Sequence, residues 1–81
     1  MYNGGIFFDS SNPKLICKLM ELYGDSQYPY LGTNESGEDI ELHISKTSVI
    51  CKTYQSNGWL RANHFDENGY PNGETFEGRW K

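Results

Sequence analysis

Asn57-Gly58 sits between two runs of β-forming residues, Lys52 to Gln55 and Trp59 to Ala62. The pair suits a type I′ turn, whose two central residues both need φ > 0, a region that Asn and Gly tolerate best. A two-residue loop there fixes the pairing: Ser56 faces Trp59, Gln55 faces Leu60, Tyr54 faces Arg61, Thr53 faces Ala62 and Lys52 faces Asn63. One hairpin face then carries Ile50, Lys52, Tyr54, Trp59, Arg61 and Phe65; the other carries Val49, Cys51, Thr53, Leu60, Ala62 and His64. The first face is aromatic and basic. Tyr, Trp and Arg are enriched among the side chains that dominate binding, and they also stack on bases. Arg61 opposite Tyr54 makes a cation–π platform, and Trp59 lies at the hairpin end, where cover by a helix is least expected. Tyr54, Trp59, Arg61 and Lys52 are therefore the expected partner-binding residues. The competing expectation is that a helix covers this face, with Lys52 and Arg61 snorkelling at its edge.

The rest of the chain supplies that helix. Ser11 or Asn12 can cap free N–H groups, and Pro13 suits a first helical turn. Leu15, Leu19 and Leu22 recur at helical spacing, with Ile16, Met20 and Tyr23 in the adjacent row, while Lys14, Lys18 and Glu21 fall opposite. Gly24 supplies a stop. The spacing predicts a helix from Pro13 to Tyr23. Ile6 to Phe8 reads as a short strand before it. Residues 25 to 39 read as loop, with Tyr28, Tyr30 and Leu31 able to form a short strand. From Asp39 to Ser45, Ile40, Leu42 and Ile44 alternate with Glu41 and His43, the pattern of a half-buried strand. Thr47 to Gln55 and Trp59 to Phe65 follow. The turn-rich stretch from Asp66 to Gly73 reads as loop, and Glu74 to Trp80 as a last strand with a bulge at Gly78. The expected fold is α+β, a single domain over 1–81: one N-terminal helix on an antiparallel sheet of about four to five strands, β-α-β-β-β-β.

A chain of 81 residues buries a modest share of its surface, so self-association into a homodimer or a tightly bound partner would help it. Apolar residues make up only 36% of it, but 15% are aromatic, which bury much area each. The net charge of −4 argues against nonspecific nucleic-acid binding. Acids gather around Glu38 and again around Glu67, and these loops are the second expected contact for a basic partner. The N-terminus has no basic region before its short apolar run, so it does not read as a signal peptide, and no segment is long enough to span a membrane. The expected location is the cytoplasm, with Cys17 and Cys51 reduced.

Chemistry is sparse. In the hairpin register above, His64 lies across from Cys51, and a Cys-His pair can make a thiolate nucleophile. No third orienting group follows at a known spacing, and packing is the simpler reading. Cys17, Cys51, His43 and His64 do not form the close pairs that metal sites use. Neither Asp66-Glu67 nor Glu38-Asp39 faces another carboxylate across a deep cleft. No catalytic residue, metal or cofactor is expected.

Two resemblances add to this. Phe76-Glu77-Gly78-Arg79-Trp80 resembles the end of a MORN repeat, but MORN proteins stack several repeats and this chain holds one partial match, so it reads as convergent strand chemistry. The stretch from Cys51 to Asn63, continued by Glu74 to Trp80, is similar to small proteins of phages and mobile elements in Gram-positive bacteria. That resemblance implies a non-enzymatic protein that inhibits a host defence protein, as anti-CRISPR proteins do, by occluding its surface. The alternatives are a small nucleic-acid-binding or transcription-regulating module, and a minor thiol or metal enzyme.

Overall fold

The computed structural model describes residues 5–25 and 29–80, without the side chains of residues 74 and 75. Tyr28 and the first four residues of the N-terminal segment lie outside them. The chain runs β1 (Ile6–Phe8), α1 (Pro13–Tyr23), β2 (Tyr30–Asn34), β3 (Asp39–Ile44), β4 (Val49–Tyr54), β5 (Trp59–Phe65) and β6 (Pro71–Arg79). The six strands form one sheet in chain order.

The helix forms where its caps and periodicity place it. Asn12 Oδ1 accepts the Leu15 N–H at 3.2 Å, and Pro13 occupies the first turn. The Gly24 N–H closes the last turn on the Met20 carbonyl. Ile16, Leu19 and Met20 are the buried stripe. Leu22 is 60% exposed, because the stripe centres on the Ile16–Met20 row and Leu22 falls on its flank. The stop differs from the expected one. Gly24 keeps a right-handed φ of −65°, so the helix ends without a left-handed cap.

The sheet corrects the expected topology in one respect. It is mixed, since β1 pairs with β2 in parallel, Ile6 beside Gly32 and Phe8 beside Asn34. A helix between two neighbouring strands returns the chain in its original direction, which makes such a pair parallel. β2, which sequence left mostly as loop, brings the count to six. Gly32 is required there: a Cβ on it would run into the Ile6 carbonyl.

The inner, helix-bearing face carries Ile6, Phe8, Ile40, Leu42, Ile44, Val49, Cys51 and Phe65, which join the helical stripe in one core. Phe8 meets Phe65 edge-on at 5.3 Å. Among the described residues, β6 adds no buried side chain to this core.

Three of the four hairpin loops share one geometry. In Asn34–Glu38, Gln55–Trp59 and Asp66–Tyr70 the first residue's carbonyl accepts from a glycine three residues on, and its N–H bonds the carbonyl one residue further. Those glycines, Gly37, Gly58 and Gly69, have φ of 77°, 91° and 82°, and among the described residues no other residue type has positive φ. This is a type I turn followed by a left-handed glycine, the usual three-residue hairpin loop. Asn57 is therefore not part of a type I′ turn. It keeps negative φ and uses its side chain, whose Oδ1 accepts the Trp59 N–H at 3.0 Å.

The consequence is a one-residue shift. Tyr54 pairs with Leu60, Thr53 with Arg61, Lys52 with Ala62, Cys51 with Asn63, and Ile50 with His64. A shift of one turns every side chain of β5 to the opposite face. The expected bulge at Gly78 is also displaced. Leu60 pairs regularly with Gly78, and the irregularities lie between Ala62 and Phe65.

Candidate functional site

The outer face of the sheet, away from α1, is the candidate site. Pairing builds it in rows across the strands. One row reads Phe7, Thr33, Asp39, Tyr54, Leu60, Gly78; the next reads Leu31, Glu41, Lys52, Ala62, Phe76; a third reads His43, Ile50, His64. The face has a polar middle and two apolar margins. Phe7 and Leu31 are 56% and 62% exposed at one margin, and Phe76 and Trp80 are 49% and 43% exposed at the other. With strands ~4.8 Å apart, Leu31 on β2 and Phe76 on β6 stand roughly 19 Å apart.

Glu41 links the side chains of the middle. Tyr54 donates its hydroxyl to Glu41 Oε1 at 2.7 Å, and His43 Nε2 lies 3.2 Å from Oε2. The Tyr54 hydrogen bond draws the Glu41 carboxyl below its usual range, and the charges of His43 and Lys52 add to this against the effect of burial. The same bond pushes the Tyr54 hydroxyl up. Trp80 packs edge-on against Tyr54 at 5.7 Å. Its indole N–H donates to the Gln55 carbonyl and its backbone N–H to Gly58, 3.0 Å each. The end of β6 is thus pinned to the β4–β5 loop.

The residues singled out in sequence are divided by the register. Lys52 and Tyr54 lie on the outer face. Arg61 does not: it points to the helix side and binds Glu77 through Nε and Nη2, at 2.8 and 2.7 Å from Oε2. The Tyr54–Arg61 platform is therefore absent, and Tyr54 takes Trp80 as its aromatic neighbour instead. Trp59 alternates with Leu60 and shares Arg61's side, opposite Arg79. Glu38 stands in the β2–β3 loop, where Asn34 Nδ2 donates to it at 2.9 Å. Glu67 stands exposed in the β5–β6 loop, whose carbonyl at that residue accepts from Cys17 Sγ at 3.7 Å. Phe7, Leu31, Phe76 and Glu41 complete the outer face and were not singled out. The signal for Glu41 was present in the Asp39–Ile44 alternation.

The helix side holds a small polar groove, about 170 Å³, beyond the end of the core. Ser10, Glu35, Cys51, Thr53, Arg61 and Asn63 line it. Ser10 Oγ donates to Glu35 at 2.9 Å. Burial pushes the Cys51 thiol up to about 11, so it stays protonated at neutral pH. His64 lies on the opposite face from Cys51, beside Ile50, which removes the expected Cys51–His64 pair. Among the described residues no three His, Cys, Asp or Glu side chains are grouped to hold a metal ion. No helix there is long and apolar enough to cross a membrane.

No protein-family model, curated protein or solved structure matches this chain.

Proposed function

We propose that this chain is a non-enzymatic binding protein that docks the outer face of its sheet on a larger protein. The observation that carries the reading is that no described residue covers this face, with Phe7, Leu31, Phe76 and Trp80 between 43% and 62% exposed around the Tyr54–Glu41 hydrogen bond. Large apolar groups left exposed mark interaction sites, and Tyr and Trp are favoured anchors within them. The concrete version is a phage-borne inhibitor that occludes a host defence protein of CRISPR type. The phage-protein resemblance and the net charge of −4 support it, since an acidic body can contest a nucleic-acid groove. Nucleic acid is the weaker partner. On the outer face Lys52 sits across from Glu41, and Arg61 is on the other side with Glu77.

The test compares immobilised parent with a Leu31→Glu/Phe76→Glu variant in lysate of a Gram-positive host, read by mass spectrometry. A host protein held by the parent and by Asn68→Ala, and lost by the variant at unchanged circular dichroism, is the expected result. Equal retention by all three overturns the outer face as the contact. Salt-sensitive binding to short oligonucleotides by the parent favours the nucleic-acid module instead. Expression in a host with active CRISPR immunity tests the finer version: plasmid interference should fall, and undiminished interference removes that target class.

A further inference from the structure

β1 and β6 are the two edges of the sheet. Exposed edges invite pairing with other chains, and proteins blunt them with short strands, prolines and bulges. β1 has three residues. The first half of β6 begins at Pro71 and pairs irregularly. Among the described residues, nothing covers the second half. Phe76 to Arg79 runs without a break against Ala62 to Trp59 and contains neither proline nor lysine.

Two hydrogen bonds decide which backbone groups of this stretch are free. The Trp59 carbonyl accepts from Gln55, so Trp59 points its backbone at β4 and Leu60 points at β6. The Trp80 N–H donates to Gly58, so Phe76, Gly78 and Trp80 point theirs at β5. Glu77 and Arg79 therefore aim N–H and C=O at the open edge, since backbone groups alternate along a strand.

We propose that the Phe76–Trp80 edge pairs antiparallel with the same edge of a second copy of this chain, across a twofold axis at Gly78, to join the two sheets into one. The free groups allow nearby self-pairings centred on Phe76, Glu77, Gly78 or Arg79, and the last opposes two guanidiniums, which is destabilising. The centre at Glu77 opposes two carboxylates, which is destabilising. The centre at Phe76 sets Arg79 against Gly73. The centre at Gly78 sets Glu77 against Arg79 of the second copy twice, and Phe76 against its Trp80 twice. Opposite charges and aromatic pairs are the favourable cross-strand partners. In this register Glu77 and Arg79 are also the pairs that exchange both backbone hydrogen bonds. Arg61 reaches Glu77 through Oε2, which leaves Oε1 for a second guanidinium. Arg79 and Phe76 are exposed in the single chain, so they have room for a partner. The interface is isologous, as a twofold contact must be; it shares Phe76 and Trp80 with the docking face but takes its hydrogen bonds from the strand edge, which the Arg79 variants address without touching that face.

Sedimentation equilibrium on the full chain tests it. The parent should rise with concentration from 9.3 kDa toward twice that mass. Arg79→Glu opposes like charges, and Arg79→Pro removes an outward N–H without breaking a bond to β5. Both should remain monomeric with the parent's circular dichroism, while Lys14→Glu should dimerise like the parent. In a Cys17→Ser background, Gly78→Cys should give a disulfide-linked dimer on mild oxidation faster than Phe76→Cys. A parent that stays monomeric at its highest soluble concentration overturns the proposal. So does self-association untouched by Arg79→Pro, and faster cross-linking at Phe76 overturns the register.

Discussion

β3 and β6 lie in the same sheet and are held there by different forces. Ile40, Leu42 and Ile44 of β3 are 2%, 0% and 8% exposed and pack under α1. Among the described residues β6 buries no side chain. It is kept in place by its ladder with β5, by the Asp66–Tyr70 loop, by the Arg61–Glu77 ion pair and by Trp80 on Tyr54. The hydrophobic effect fixes the first strand, and loop geometry with directional bonds fixes the second. The difference teaches where each kind of residue is free to change. Apolar groups on β3 answer to stability, while those on β6 are available for contact.

The largest effect expected from this contrast is at Leu42. Leu42→Ala removes a fully buried side chain and should cost about 2–5 kcal/mol, read as a fall in the urea midpoint. A loss below about 1 kcal/mol would break the contrast at its strong end.

Next come the loop glycines. Gly37 and Gly69 share a turn but not surroundings. A Cβ at Gly37 meets open space, while one at Gly69 runs into the Pro13 carbonyl at the helix start. Gly37→Ala should cost about 1–2 kcal/mol for the left-handed backbone alone, and Gly69→Ala should cost clearly more. Equal losses in urea unfolding would mean that the β5–β6 loop does not rest on α1.

The pH dependence of the outer face sharpens the comparison further. Glu41 is held below its usual carboxylate range by the Tyr54 hydroxyl. A depressed carboxyl binds its proton less readily in the folded chain than in the unfolded one, so it stabilises the fold above its ordinary range. That stabilisation is lost as pH falls through and below that range. The stability gap between parent and Tyr54→Phe should therefore be widest near neutral pH and narrow in acid. A gap that widens in acid reverses the sign and removes the Glu41 anchor.

The smallest effects belong to the exposed margins. Leu31→Ser and Phe76→Ser should each change stability by no more than about 0.5 kcal/mol in urea. A loss as large as that of Leu42→Ala would place these side chains in a core.

Much of the fold was legible where one signal dominated. Proline, cap and helical spacing gave α1 its bounds from Pro13 to Tyr23. Strict alternation gave β3, because an inward Ile or Leu leaves no second choice of face. The legible signal failed where a turn decided the outcome. Asn57-Gly58 suits a two-residue loop taken alone, and only its likeness to Asn34–Gly37 and Asp66–Gly69, each with glycine at the fourth place, points to the three-residue loop. That single residue moved Arg61 and Trp59 off the expected contact face while leaving Lys52 and Tyr54 on it. β2 was obscured by Gly32, which weakens a strand pattern yet is required for close approach to Ile6. Pro71 hid the start of β6 among turn formers, although proline is accepted at the first residue of an edge strand.

The β4–β5 register decides which side chains the open face presents, and solution NMR reads it directly. Tyr54–Leu60 and Lys52–Ala62 are paired without mutual hydrogen bonds, the arrangement that brings opposite Cα atoms to about 4.5 Å. Strong Hα–Hα contacts between Tyr54 and Leu60, and between Lys52 and Ala62, are the predicted result. Contacts instead between Gln55 and Leu60 and between Thr53 and Ala62 would restore the two-residue turn, return Arg61 to the outer face and contradict the site described above.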